Sequence, residues 1–248
     1  VRMFFINSVI RTLRGKRFAH RSMMINISRF NKMQANIKRK VSEYVDNLKN
    51  IITQTSYMPR EMFLKNSEML KMYNMYMTSD YYNSIRDEFV WEKIQENLIY
   101  EAERMKIIVV NRQKDEEKLD YRTYNDVGTR YIVIGGFVLS RGLTLEGLMI
   151  SYYSRNGSAY DSLLQMCRWF GYRPGYEDIC KIWMSDDSIN WYAEISKATD
   201  ELRDDIKIMK ENGNTPKDFG LRVRRDSTVL MITARNKMRT ASSIPLLI

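Results

Sequence analysis

The segment YIVIGGFVLSRGLTLEGLMISYY, residues 131–153, decides the fold. It contains two short apolar runs, YIVIGG (131–136) and LMISYY (148–153), joined by a loop with two glycines. Both runs are continuous rather than alternating in polarity, which is typical of strands that are covered on both faces. Outside this segment the sequence predicts three further strands: MMINIS (23–28), KIIVV (106–110) and ICKIWM (179–184).

Helical segments alternate with these strands. Apolar residues recur at spacings of three and four within 31–52, and 80–104 and 158–170 are also predicted to be helical. Another helix is predicted after Ser185, with its end near Gly213. This alternation of strands and helices predicts an α/β fold with a parallel sheet flanked by helices.

The charge of the chain is large and unevenly distributed. The net charge of the 248 residues is +10, and residues 1–42 contain lysines and arginines but no acidic residue. Clustered cations release condensed counterions when they bind a polyanion. The composition therefore favours a nucleic-acid partner, DNA or RNA, over a basic surface without a partner.

Other features of the sequence limit the class of protein. The two cysteines, Cys167 and Cys180, and the single histidine form neither a disulfide framework nor a zinc site. No apolar run approaches the roughly 20 residues of a membrane span, and residues 1–17 do not resemble a signal peptide. A cytoplasmic protein without a membrane partner is expected. The chain opens on Val1, which is expected of a piece of a longer protein.

Arginine, serine and glycine follow the predicted strands. The first strand leads into Ser28-Arg29, and the loop 135–148 contains SRG. The predicted helix 158–170 leads into QMCRWFGYR, residues 165–173. Ligands of parallel sheets bind beyond the carboxyl ends of the strands, and the arginine fork and the bare glycine backbone suit phosphate oxygens. A phosphate-binding site is therefore predicted at the carboxyl ends of these strands.

Two of these segments resemble motifs of superfamily-two helicases. SRGLTLEGL (140–148) resembles motif V, and QMCRWFGYR resembles motif VI. Together with HRSMMINISRF (20–30) and ITARNKM (232–238), they resemble the Z-one domain family, helicase-like proteins often labelled endonucleases. The resemblance implies the second RecA-like lobe of an ATPase, with a helical insertion and a C-terminal extension that is helical with one β-like run (227–234).

The resemblance also implies four parts of the chain and a role for individual residues. The parts are a basic segment with the first strand (1–30), a helical insertion (31–105), the RecA-like core (106–185) and the C-terminal extension (186–248). The implied roles are catalytic for Arg168 and Arg173, cofactor-binding for Gly142, Thr144, Glu146 and Gln165, and nucleic-acid-binding for Ser28, Arg29, Ser140 and Arg141. Ser28 could instead cap the helix that follows it.

The sequence departs from the helicase pattern at three places. Cys167 stands where a glycine is expected before the first motif VI arginine, and Thr144 stands where many helicases carry Asp. The two arginines are also more widely spaced than is usual. Because the chain has no G-x-x-x-x-G-K-[ST] segment, ATP and Mg²⁺ are expected only with a first, ATP-binding lobe of the same protein. The isolated chain is expected to be inactive.

Two alternative functions remain open on the sequence alone. A metal-dependent endonuclease needs clustered carboxylates, for which Asp115, Glu116 and Lys118 are the compact candidates. The resemblance assigns no role to these residues, and it implies no metal ligand elsewhere. A non-catalytic nucleic-acid-binding module would use the lysines and arginines of the chain to bind nucleic acid and would catalyse no reaction.

Overall fold

The chain contains two compact units. Backbone contacts group residues 1–155 with 172–183, and residues 156–171 with 184–248. The computed structural model describes residues 1–28, 30–111, 119–140, 143–154, 164–165, 171 and 173–215. Within these described ranges, no helix combines the length and the apolar character that a membrane crossing demands.

The first unit is built on a five-stranded parallel sheet, which confirms the predicted α/β class. The strands are β1 (Arg21–Asn26), β2 (Met105–Val110), β3 (Arg130–Gly135), β4 (Leu148–Tyr153) and β5 (Lys181–Trp183). Their order across the sheet is β2-β3-β1-β4-β5. The first strand of the sequence therefore lies at the centre of the sheet, paired on both sides.

The first strand begins earlier than its apolar run indicates. The run predicts residues 23–28, whereas β1 spans Arg21–Asn26 and leaves Ser28 beyond its end. Arg21 pairs in register with Arg130 at the start of β3, and both side chains are fully buried. A buried arginine at the start of a strand escapes a prediction that relies on apolar residues, because hydropathy places charges in solvent.

Six helices belong to the same unit as this sheet. They are α1 (Arg2–Leu13), α2 (Asn31–Thr55), α3 (Arg60–Phe63), α4 (Ser67–Thr78), α5 (Asn83–Glu88) and α6 (Trp91–Glu103). The predicted helix 31–52 is confirmed as α2, and 80–104 is divided between a 3-10 turn, α5 and α6. Their apolar side chains share one hydrophobic core with Met23, Ile25 and Ile132 of the sheet.

The N-terminal basic segment contains a helix that the sequence pattern does not reveal. Residues 3–11 of α1 are all buried, from Met3 to Arg11. A helix that is covered on every side has no polar face, so its apolar residues do not recur at helical spacing. The charges of residues 1–30 therefore do not mark a solvated arm.

A buried charge cluster joins α1, α6 and the sheet. Arg130 Nε donates to Glu101 Oε2 at 2.6 Å, and Arg21 Nη1 lies 3.9 Å from the same oxygen. All three side chains are fully buried. Burial lowers the pKa of the Arg21 guanidinium, and Glu101 opposes that effect. Arg21 Nη2 also donates to Thr12 Oγ1 at 2.7 Å and to the Lys16 carbonyl at 2.9 Å, which fixes the loop after α1.

The described part of the second unit is mainly one long helix, α7 (Asp186–Glu211). Ser185 caps it, because its Oγ accepts the N–H of Ser188 at 3.3 Å. The predicted end near Gly213 is confirmed, since Gly213 has φ +69°. The predicted β-like run 227–234 and most of the predicted helix 158–170 lie outside the described residues.

Candidate functional site

The connections of the sheet reverse direction between β1 and β4, and the space outside the carboxyl ends of these two strands is called the β1–β4 crevice below. The chain leaves β1 toward the β2 side of the sheet, whereas it leaves β4 toward β5. Ligands of parallel sheets bind at such a reversal, outside the carboxyl ends of the two strands. Here the carboxyl ends are marked by Asn26 and Ser154, joined by a bond from the Ser154 N–H to the Asn26 carbonyl at 3.0 Å.

Ser28 lies at this crevice, immediately beyond β1. Its Oγ accepts the backbone N–H of Phe30 at 3.2 Å, and its carbonyl accepts from Gln34 Nε2 at 3.0 Å. The residue is half-buried, and Gln34 beneath it is buried. These two bonds fix the backbone of Ser28, and among the described residues its hydroxyl hydrogen has no acceptor.

The amino end of α2 faces the same turn without a side-chain cap. Its N-cap residue is Phe30, and among the described residues no side chain accepts a hydrogen bond from its first turn. Ser28 therefore caps the turn before the helix and not α2 itself. The first turn contains Lys32 and no acid. Free N–H groups and the positive end of the helix dipole favour an anion there.

Asn26 is a candidate site residue that the sequence pattern does not single out. Its side chain is fully buried at the end of the central strand, and neither polar atom of its amide has a partner among the described residues. The available signal was a polar residue flanked by two isoleucines in the run MMINIS. A buried amide without partners is uncommon in folded proteins.

The loop after β3 separates the predicted residues between the two edges of the sheet. Ser140 ends a 3-10 turn directly after β3, at the same edge as Ser28. Glu146 comes two residues before β4 starts, at the opposite edge. A strand of six residues is about 20 Å long. The structure therefore does not bring Glu146 together with Ser28, and Thr144, an exposed residue, precedes Glu146 by two positions.

Glu146 instead belongs to a cluster around His20, the single histidine. This cluster lies at the amino ends of the strands, here called the amino edge of the sheet. His20 Nδ1 accepts the Thr129 N–H at 3.1 Å, and its Nε2 lies 3.8 Å from Glu146 Oε2. Ser22 Oγ donates to the Glu146 carbonyl at 2.8 Å and lies 2.9 Å from the Tyr121 hydroxyl. These contacts join three loops before β1, β3 and β4, so the cluster anchors the end of the 136–147 loop.

Gly147 allows this anchoring, and Gly147→Ala is expected to lower the free energy of unfolding by about 3 kcal/mol. Its φ is +64°, and a Cβ would lie 1.8 Å from the His20 carbonyl oxygen. Gly15 is the matched control, because it has φ +76° with nothing within 4 Å of a built Cβ. Gly15→Ala should therefore cost only the backbone strain, about 1 kcal/mol. Equal losses in urea denaturation would contradict the close approach of Gly147 to His20.

Arg173 lies in the first unit, before the short turn that leads to β5. Its charge opposes the burial that raises the pKa of Tyr176 and that of Cys180, the latter to about 11. Cys180 Sγ lies 3.8 Å from the carbonyl of Leu148, the first residue of β4. The Tyr176 N–H donates to the Arg173 carbonyl at 3.2 Å, so the Arg173 backbone lies next to Tyr176, in the segment before β5.

The other predicted residues are Gln165 and four residues outside the described ranges. Gln165 is a half-buried residue of the second unit. The other four lie outside the described residues, namely Arg29, Arg141, Gly142 and Arg168. The nuclease candidates Asp115, Glu116 and Lys118 also lie outside them. In the described ranges, no three His, Cys, Asp or Glu side chains form a group that could hold a metal ion.

Many of the N-terminal cations serve the fold. Arg2 pairs with Glu68 at 2.9 Å, and Arg14 pairs with Glu88 at 2.6 Å and with Asp178 at 2.7 Å. Arg11 and Arg21 are buried, and Arg39 pairs with Glu43 on α2. Acidic residues outside 1–42 pair with most of these arginines, so the charge excess of residues 1–42 overstates the cationic surface that a polyanion meets.

Comparison with known proteins places the chain in a family. Neither a curated protein nor a solved structure matches it. The model of the Z1 domain matches residues 1–230, nearly the whole chain and all the elements described above. The chain therefore belongs to the Z1 domain family.

Proposed function

We propose that the chain is the second, RecA-like lobe of a nucleic-acid-dependent ATPase of helicase type. The observation that carries the proposal is Ser28, fixed at the crevice between β1 and β4 in front of the uncapped end of α2. This arrangement supplies a hydroxyl donor and a positive helix end to one phosphate of a nucleic-acid strand.

In this proposal, the contacts with the nucleic-acid strand are made by Ser28 and by the loop after β3. Ser140 follows β3, which neighbours β1 in the sheet. The helicase-like motifs add Arg29 and Arg141, whose guanidinium groups suit phosphate oxygens. The amino-edge cluster around His20 holds the far end of this loop, so Glu146 acts in this proposal as an anchor rather than as a ligand of ATP.

ATP is held by another lobe in this proposal. The sequence contains no phosphate-binding loop of the G-x-x-x-x-G-K-[ST] type. The motif VI-like segment assigns Arg168 to the γ-phosphate, and the helicase resemblance assigns Gly142 and Gln165 to nucleotide binding. Closure of the two lobes around ATP would then couple hydrolysis to the grip on the strand.

The grip is tested by titrating the chain into a fluorescein-labelled single-stranded oligonucleotide and measuring anisotropy. Binding is expected to weaken steeply with salt, because phosphate contacts release counterions. Ser28→Ala is expected to weaken it about tenfold, the usual effect of losing one hydrogen bond to a charged group. Thr53→Ala is the control, since this exposed hydroxyl lies near the other end of α2. Equal affinities of the two variants would argue against Ser28 as a phosphate ligand.

A further inference from the structure

Two asparagines of the first unit are equally buried but differ in their hydrogen bonds. Asn7 Nδ2 donates to the Tyr81 hydroxyl at 2.9 Å and to the Ile179 carbonyl at 2.8 Å, while its Oδ1 accepts from the Tyr82 hydroxyl at 2.8 Å. Asn26 is also fully buried, yet its amide has no partner in the described part of the chain. Asn7 is thus a satisfied core residue, whereas Asn26 is not.

Packing does not explain the amide of Asn26. Its register partners are Gly135 on β3 and Tyr153 on β4, and Met24 precedes it on the same face of β1. Leucine, whose side chain has the same number of non-hydrogen atoms and the same branching, would occupy this place without desolvating two polar atoms. A buried polar group that lacks a partner lowers the stability of the fold. Such conflicts between local chemistry and packing concentrate at functional sites.

The position of Asn26 indicates what its amide binds. It ends β1 at the crevice, and Ser28 follows two residues later. The amide offers two N–H donors and one acceptor oxygen. A sugar–phosphate complements this set, because its phosphate oxygens accept hydrogen bonds and a sugar hydroxyl or a carried water donates one.

We infer that Asn26 is a ligand-contacting residue, whose Nδ2 donates to a phosphate oxygen of the sugar–phosphate bound at the β1–β4 crevice. This inference rests on the proposed function, which supplies the nucleic-acid strand. Both amide atoms are covered in the structure, so binding includes a local opening of the carboxyl edge. Asn26 lowers the stability of the unliganded fold, and its amide is satisfied only when the ligand is bound.

The test is Asn26→Leu in the full chain, with thermal unfolding and oligonucleotide binding measured on the same preparation. The melting temperature is expected to rise by about 3 °C or more, because the variant removes an unpaired buried amide. Affinity for the oligonucleotide is expected to fall about tenfold. Asn7→Leu is the matched control, and it should lower the melting temperature by about 5 °C or more, since it leaves the Tyr82 hydroxyl and the Ile179 carbonyl unpaired.

The other outcomes separate this inference from the proposed function. A lower melting temperature of Asn26→Leu, or its failure to fold, would show that a structural water or residue already satisfies the amide. Unchanged affinity with a raised melting temperature would show a polar residue without a ligand. Either result overturns the inference and leaves the proposed function standing. If the wild-type chain binds none of a DNA oligonucleotide, its RNA counterpart and ATP, both fail. Binding of ATP alone, weakened by Asn26→Leu, would keep the inference and assign the phosphate to a nucleotide.

Discussion

Replacing Glu101 by alanine is expected to lower the free energy of unfolding by about 3–5 kcal/mol. Glu101 is the carboxylate between Arg21 and Arg130, and all three side chains are fully buried. Removing it leaves two guanidinium groups in the interior without a counter-charge, and burial of a charge is costly unless it is paired. Chemical denaturation followed by circular dichroism measures the change directly.

Glu96→Ala is the control on the same helix. Glu96 pairs with Lys93 at 3.0 Å, but both side chains are more than half exposed. An exposed pair of this kind contributes about 0.5 kcal/mol or less. A loss below about 1 kcal/mol for Glu101→Ala would contradict the buried ion cluster. Failure of that variant to fold, with Glu96→Ala unaffected, would be the extreme form of the expected result.

The largest expected effect on activity concerns Arg168. In an ATPase assembled from this chain and its ATP-binding lobe, Arg168→Ala is expected to lower nucleic-acid-stimulated turnover about 10³-fold or more, because an arginine at the γ-phosphate stabilises the charge of the transition state. ATP binding, measured with a fluorescent analogue, should be retained. The chain without that lobe is expected to show no turnover.

Arg173→Ala is the matched variant within the same segment. The Arg173 backbone lies next to Tyr176, in the segment that leads to the amino end of β5. Its loss is therefore expected to change turnover by less than about tenfold. Equal, large losses in both variants would mean that both arginines reach the phosphate. Unchanged turnover in Arg168→Ala would refute the role that the helicase-like motif implies.

The sheet could be predicted because its strands are continuous apolar runs. All five predicted strands are present, and the long helix α2 follows the first of them. The starts of β1 and β3 could not be predicted, because Arg21 and Arg130 are charged residues. Both are stabilised in the interior by Glu101, which is far from them in the sequence. The helix α1 could not be predicted either, because it is buried on all sides and therefore shows no helical spacing of apolar residues.

The candidate site could be predicted only in part. Ser28 was found because a serine follows an apolar run, and parallel strands end at one edge. Glu146 is implied as a cofactor-binding residue by the helicase-like motif, and the sequence does not show where the loop that contains it crosses from the carboxyl ends to the amino ends of the strands. Asn26 escaped because its distinguishing property, an amide without partners, exists only in three dimensions.

The central position of β1 has a consequence for how the chain acquires its structure. Arg21 pairs with Arg130, and Met24 pairs with Ser151, so both neighbours of β1 are synthesised long after it. Contacts between residues far apart in sequence slow folding, because a long segment must lose its freedom before they form. During synthesis the apolar residues of β1 therefore wait unpaired until β3 and β4 have left the ribosome, and the first half of the sheet cannot form as an independent folding unit.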